Sequence, residues 1–256
     1  MQFTWYGTAS VGISDGKTKI LIDPFFRTNH KLKTPTMDDF VGADAIFVTH
    51  GHFDHIYNIP DICREDKKVN VYAPATACNT LEGKGISTNR LHTMVNGTSV
   101  KIGDFTVTAY KAKHISFNLP YIMSVVPQYA VMLPVGIKQA IINSQYPLNN
   151  DILIYEIENG GKTVLLSGSF GTVDTVEYPK NPDIFVLAHG GSTAVPKIAT
   201  PFIEKIQPKL TVITHYDNSF PPATRRINVE KCVENFQSCH NGYDFLVPEA
   251  GRCYDL

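Results

Sequence analysis

No pair of cysteines stands at a spacing that would grip a metal or staple a fold. The five in this 256-residue chain (Cys63, Cys78, Cys232, Cys239 and Cys253) are odd in number and widely scattered. That excludes a disulfide scaffold and a structural thiolate site, and fits free thiols in a reducing compartment. Excess charge of either sign is also missing. A formal net charge of -1 leaves no overall electrostatic footprint for nucleic acid or an anionic membrane. No apolar run reaches the length of a membrane helix. Met1 to Tyr6 have neither the charged n-region nor the apolar h-region of a secretory leader. Repeats, low-complexity tracts and linkers are absent as well. The expectation is a single cytoplasmic domain over 1–256 with a small-molecule partner, not a nucleic acid or a membrane. A hydrophobic share of 43% is enough for such a chain to bury a large core.

Histidine, by contrast, is concentrated. Three of the nine fall in Thr49-His50-Gly51-His52-Phe53-Asp54-His55. The apolar run Ala45-Ile46-Phe47-Val48 directly before them reads as a buried strand. The side chains therefore leave the C-terminal end of a strand and enter a loop, where layered α/β folds usually place a site. His50 and His52 can turn two imidazoles toward one point, and Asp54 with His55 can supply oxygen and nitrogen to an adjacent one. Imidazole with carboxylate, and no thiolate, suits zinc first, with manganese or iron as alternatives.

His-x-His-x-Asp-His after a strand resembles the signature of the metallo-β-lactamase superfamily, a group of mostly hydrolytic enzymes. Gly7-Thr8-Ala9-Ser10-Val11 and Leu21-Ile22-Asp23-Pro24 resemble the start of the branch that includes the ascorbate-6-phosphate lactonase. Histidine at position 52 argues against the flavodiiron oxidoreductases of the superfamily, which carry an acidic residue there. The fold implied is α+β, a four-layer αββα sandwich of two mixed β-sheets. By the same resemblance His114, after the strand Phe105 to Tyr110, completes a three-histidine set with His50 and His52. His215, after the strand Lys209 to Thr214, joins Asp54 and His55. Asp23 either supports the site or is a turn aspartate before proline.

One departure stands out. Many relatives have Gly-Asp where this chain has Gly168-Ser169, and that aspartate bridges two metals. A neutral hydroxyl with one short oxygen cannot replace a bridging carboxylate. One metal position is thus expected to be well built and the second to lack its bridge. His189, ahead of Gly190-Gly191, lies outside the general ligand set. It reads as a compensating ligand, a proton donor, a substrate contact or a packed histidine.

The activity implied is that of a metal-dependent hydrolase activating water for attack on an ester, lactone or phosphoester of a small molecule. Asp54 would orient that water or accept its proton. Two other readings stand beside it: a phosphodiesterase or nuclease of the same superfamily, and a degenerate relative that binds metal or ligand without turnover.

Elsewhere, alternation and turn residues predict a hairpin around Asp15-Gly16, strands at Val69–Ala73, Ser99–Ile102, Asp151–Ile157, Thr163–Ser167, Pro182–Ala188 and Tyr243–Val247, and helices at Thr76–Glu82, Ala199–Ile206 and Val229–Gln237. Phe25 to Val41 reads as an exposed loop. Residues 116–149 are apolar, and their prolines prevent a long regular helix. They read as a lid or pocket wall, a buried insert, or the interface of a homo-oligomer.

Overall fold

The computed structural model describes residues 1–239 and 242–255. The chain opens with β1 (Gln2–Gly7), β2 (Ser10–Ser14) and β3 (Lys19–Ile22), an antiparallel meander. Its second turn is Asp15-Gly16, where the Asp15 carboxylate accepts the backbone N–H groups of Lys17 and Thr18. β4 (Ala45–Phe47) follows, then α1 (Phe53–Ile56), α2 (Ile59–Glu65), β5 (Asn70–Ala73), α3 (Ala75–Gly83) and β6 (Leu91–Thr93). The second half runs β7 (Ser99–Ile102), β8 (Phe105–Ala112), α4 (Leu119–Val131), α5 (Leu133–Asn143), β9 (Ile152–Asn159), β10 (Lys162–Ser167), β11 (Ile184–Ala188), α6 (Val195–Ile206), β12 (Leu210–Thr214), α7 (Val229–Cys239), β13 (Asp244–Leu246) and β14 (Cys253–Asp255).

Two seven-stranded mixed sheets result, ordered β14-β1-β2-β3-β4-β5-β6 and β13-β12-β11-β10-β9-β8-β7. In each, an antiparallel part gives way to parallel strands, β3 to β6 in one and β10 to β13 in the other. Strand periodicity explains the layering. Ala45 and Phe47 of β4 enter the core between the sheets, while Ile46 and the following Val48 pack under the helices. Val164 and Leu166 of β10 likewise face inward and Leu165 outward, toward α6 and α7. Both faces being covered, such strands read as unbroken apolar runs. The α+β sandwich of two mixed sheets with flanking helices is as expected.

Several elements differ from the sequence reading. β14 pairs with β1, so that Phe3 meets Tyr254, a pairing too distant in sequence for any local pattern to signal. α6 starts at Val195, a turn before the expected Ala199, because Pro196 lies in the first turn, where a missing N–H costs nothing. β6 contains His92, which stacks on Tyr72 and bonds Asn70, a structural histidine. The loop Phe25 to Val41 is exposed only in part, since Phe25 and Phe40 are fully buried. Cys63, Cys78 and Cys232 are buried free thiols and Cys253 is exposed; the side chain of Cys239 lies outside the described residues.

Candidate metal centre

The functional side chains gather where several strands of both sheets end. β4 delivers residues 49–55, and this loop is tied to the opposite sheet. Leu153 N–H donates to Thr49 O at 2.9 Å, and the buried Tyr155 hydroxyl donates to Val48 O at 2.7 Å. β8 delivers His114, β10 delivers Ser169, β11 delivers His189 and β12 delivers His215. His215 has φ +58°, and its N–H donates to Thr8 O at 2.8 Å.

Two groups of potential ligands form. In His50, His52 and His114, one nitrogen from each ring lies within 4.8 Å of the others, and the same holds for one atom each of Asp54, His55 and His215. The groups adjoin, with the His50 and His55 rings 3.8 Å apart between centroids. All six residues named from the sequence as metal ligands are therefore brought together. The second group has three donors of its own although Ser169 stands in the place of the bridge.

Hydrogen bonds assign the ring protons. The Thr49 hydroxyl donates to Asp23 Oδ2 at 2.6 Å, so its lone pair accepts Nδ1–H of His50 at 2.9 Å. His55 Nδ1 donates to the same Asp23 oxygen at 2.7 Å, and His114 Nδ1 donates to the carbonyl of Ile115 at 2.8 Å. Each of these three rings, when neutral, thus presents an unprotonated Nε2 to the site, the arrangement that ligand histidines adopt when a carboxylate or carbonyl holds their other nitrogen. His50 Nε2 is buried and has no partner within the protein. An orphaned acceptor of this kind costs about 1–3 kcal/mol, and a cation would remove that cost. The donor set fits a divalent metal.

Electrostatics agree. Burial, with the other histidines adding to it, holds His50 well below the ordinary imidazole range. Burial pushes His52 down to about 4 and lowers His114 as well. These rings are neutral at neutral pH, as ligation requires. Burial alone would raise the Asp54 carboxyl, but His55 and His215 outweigh it and hold the group well below the usual carboxylate range. His55 is the exception: burial lowers it, but the Asp23 and Asp54 carboxylates reverse this to a net rise, which favours a second proton, on Nε2, that a cation would have to displace.

The remaining candidates separate clearly. Asp23 is fully buried and is the support of His55 and Thr49, not a turn residue alone. Ser169 lines the pocket and accepts Ile115 N–H at 3.1 Å, which fixes the loop carrying His114. His189 is buried, both ring nitrogens lack partners, and burial pushes it to about 4. The pocket wall beyond it is formed by Gly190 and Gly191. Sequence reasoning missed Asp217, whose buried carboxylate accepts Thr8 N–H, the Arg27 guanidinium and the Ser219 hydroxyl. It braces the turn whose Thr8 carbonyl holds His215, and its position two residues after that histidine was the available signal.

Gly168 is where the second sheet comes closest to this network. A methyl there would overlap the Thr49 hydroxyl and come within 2.5 Å of Asp23 Oδ2. Overpacking costs about 1–3 kcal/mol, so Gly168→Ala is expected to lower the melting temperature by about 5 °C and to weaken metal retention on dialysis. An unchanged melt with unchanged metal content would show that the contact is slack.

The site opens on a pocket of about 270 Å³ walled by His52, Asp54, His114, Phe117, Tyr121 and His215, among others. Residues 18–216 match the family model described as a β-lactamase superfamily domain. A UPF0173 metal-dependent hydrolase from Methylocella silvestris is 28% identical over 225 residues, covering 75% of this chain and 94% of that protein. One from Azorhizobium caulinodans is 36% identical over 120 residues, which is 45% of this chain and 50% of that protein. The matched stretch thus spans about half the length of that relative. These names agree with the expectation of a metal-dependent enzyme. Among solved structures, Igni18, a metallo hydrolase from Ignicoccus hospitalis, superposes with a TM-score of 0.70 at 19% identity, covering 100% of this chain and 98% of its own. That likeness shows the fold. With a family match across most of its length, and with the paired sheets and the histidine cluster at their strand ends, the chain belongs to the metallo-β-lactamase superfamily.

Proposed function

We propose that the chain is a metal-dependent hydrolase acting on an ester, lactone or phosphoester of a small molecule. Two metal positions are proposed, one held by His50, His52 and His114 and the other by Asp54, His55 and His215. The observation that carries the reading is the tautomer assignment, which leaves Nε2 of the neutral His50, His55 and His114 rings unprotonated beside the Asp54 carboxylate. Zinc suits the three-imidazole position, and manganese or iron is the alternative where a carboxylate takes part. A divalent cation there lowers the pKa of a coordinated water and polarises the oxygen of the scissile group.

The chain's own residues do the rest. Asp54 orients the attacking water and accepts its proton at a carboxylate oxygen, and His215 Nε2, 3.1 Å from Asp54 Oδ2, would share the second position with it. The Ser169 hydroxyl, already an acceptor for Ile115 N–H, has its own proton free to donate to substrate oxygen. Phe117 and Tyr121 form an apolar wall that excludes bulk water from one side of the pocket. A pocket of this size suits a small molecule better than a polymer.

Elemental analysis after reconstitution with zinc, manganese or iron is expected to find two equivalents per chain. A panel of lactones, phosphodiesters and thioesters should then yield turnover that His52→Ala abolishes. Failure to hold any metal would sink the proposal. Metal-loaded protein as inert as His52→Ala would instead favour a binding role.

A further inference from the structure

The α4–α5 pair between β8 and β9 is built inside out. Its inward positions carry Tyr121 and Val125, but also Gly136 and the buried Gln139, and Gln128 reaches in to donate to Thr224 O at 3.1 Å. Its outward positions are apolar: Leu119, Met123 and Val126 on α4, Leu133, Ile137 and Ile141 on α5. Exposure peaks at the bend, where the helices meet at 120° and Val131 is 85% exposed. Large apolar side chains left exposed in such number on one segment mark an interaction surface.

Charge tells what covers it. Between Asp104 and Asp151 there is not one acidic residue, whereas Lys111, Lys113 and Lys138 are all present. Lys138, Lys31 and His30 line one groove of about 460 Å³ together with Met132, Val135 and Ile142. Arg225 and Arg226 follow directly on Thr224, the residue that holds α4. A two-fold dimer would turn this face on itself and find no carboxylate within the segment to meet its lysines. An anionic lipid surface answers both features, taking apolar side chains below the headgroups and cations among them. No single helix among the described residues is long and apolar enough to cross a membrane; the bent α4–α5 pair meets that length and composition only as two halves at 120°, and its buried inward face fits a pair lying in the surface.

We propose that the α4–α5 pair docks this protein on anionic lipid surfaces, with Val131 and Leu133 at the apex of insertion and Lys138 and Lys31 among the headgroups. The near-neutral net charge behind the expectation of no membrane partner averages over a local asymmetry. Docking does not depend on the metal chemistry. It sets the mouth of the metal pocket, walled by Phe117 and Tyr121 from the same segment, beside the lipid.

Flotation of the full chain with phosphatidylglycerol vesicles and with phosphatidylcholine vesicles tests this. Partition onto the anionic vesicles should be at least tenfold stronger and should weaken as salt rises. The double variant Val131→Asp/Leu133→Asp should lose it while keeping the wild-type melting temperature. Lys138→Glu should lower it about tenfold without touching the apolar apex. Equal or absent partition on the two vesicle types would overturn the proposal. So would a concentration-dependent dimer, seen by light scattering, that the double variant dissociates, because the face would then belong to a second copy.

Discussion

Asparagine at position 54 is expected to remove one of the two proposed metal equivalents and to lower kcat/KM by about 10²–10⁴-fold, the range lost with a general base. The substitution keeps the side chain's volume and removes its charge. Asp54 is buried, with Oδ2 3.1 Å from His215 Nε2 and 3.6 Å from His55 Nε2. It is also the sole carboxylate among the six gathered ligands. Removing it leaves the second position with two imidazoles and an amide, whose NH2 group can only donate toward lone pairs meant for a cation. His50, His52 and His114 are untouched, so the first equivalent should remain. Elemental analysis and steady-state kinetics on the same preparation check both halves. If two equivalents and wild-type turnover persist, Asp54 is neither ligand nor base. If both equivalents vanish, the positions do not fill independently.

The part of the site that was legible in the sequence is the part written locally. Four ligands within six residues, following a strand covered on both faces, declare themselves through composition and spacing. His114 and His215 could be placed because each follows a recognisable strand at a point in the chain order where the superfamily resemblance implies a ligand. What could not be read was made by contacts between distant segments. Asp23 differs from any turn aspartate only through Thr49 and His55, 26 and 32 residues away. Asp217 matters because Thr8 and Arg27 fold onto it from the other end of the chain. The segment 116–149 was legible in part through its prolines: Pro120 and Pro134 lie in the first turns of its two helices, although Pro127 stands inside the first without breaking it. The direction its apolar side chains face was not, since an outward apolar face and an inward one have the same sequence period. Ser169 shows the converse. The missing bridge was correctly read as a departure, but neutrality at that position says nothing of the three donors gathered beside it.

Asp23 is the residue that ties the two proposed metal positions together, and this makes it the second site of large expected effect. Its Oδ2 accepts His55 Nδ1–H directly and reaches His50 through the Thr49 hydroxyl, while Oδ1 accepts Thr49 N–H at 2.8 Å. One carboxylate therefore sets the tautomer of a ligand in each group. Asp23 sits at φ +48°, a conformation that asparagine tolerates as well as aspartate, so Asp23→Asn alters the hydrogen bonds without straining the backbone. The amide must present NH2 to a position where two donors already point. His55 then loses its orienting acceptor, and Thr49 turns away from His50. Losing a support of this kind typically costs 10–100-fold in metal affinity, and here the loss should fall on both positions. Thr49→Val cuts the chain one link later. It leaves Asp23 bonded to His55 and severs only the relay to His50, so it should weaken the His50, His52 and His114 position more than the other. Competition titrations against a chelator, resolving two stepwise affinities for each variant, measure the difference. Equal losses at both positions in Thr49→Val, or none at either in Asp23→Asn, would mean that the two groups are oriented separately and that Asp23 does not couple them.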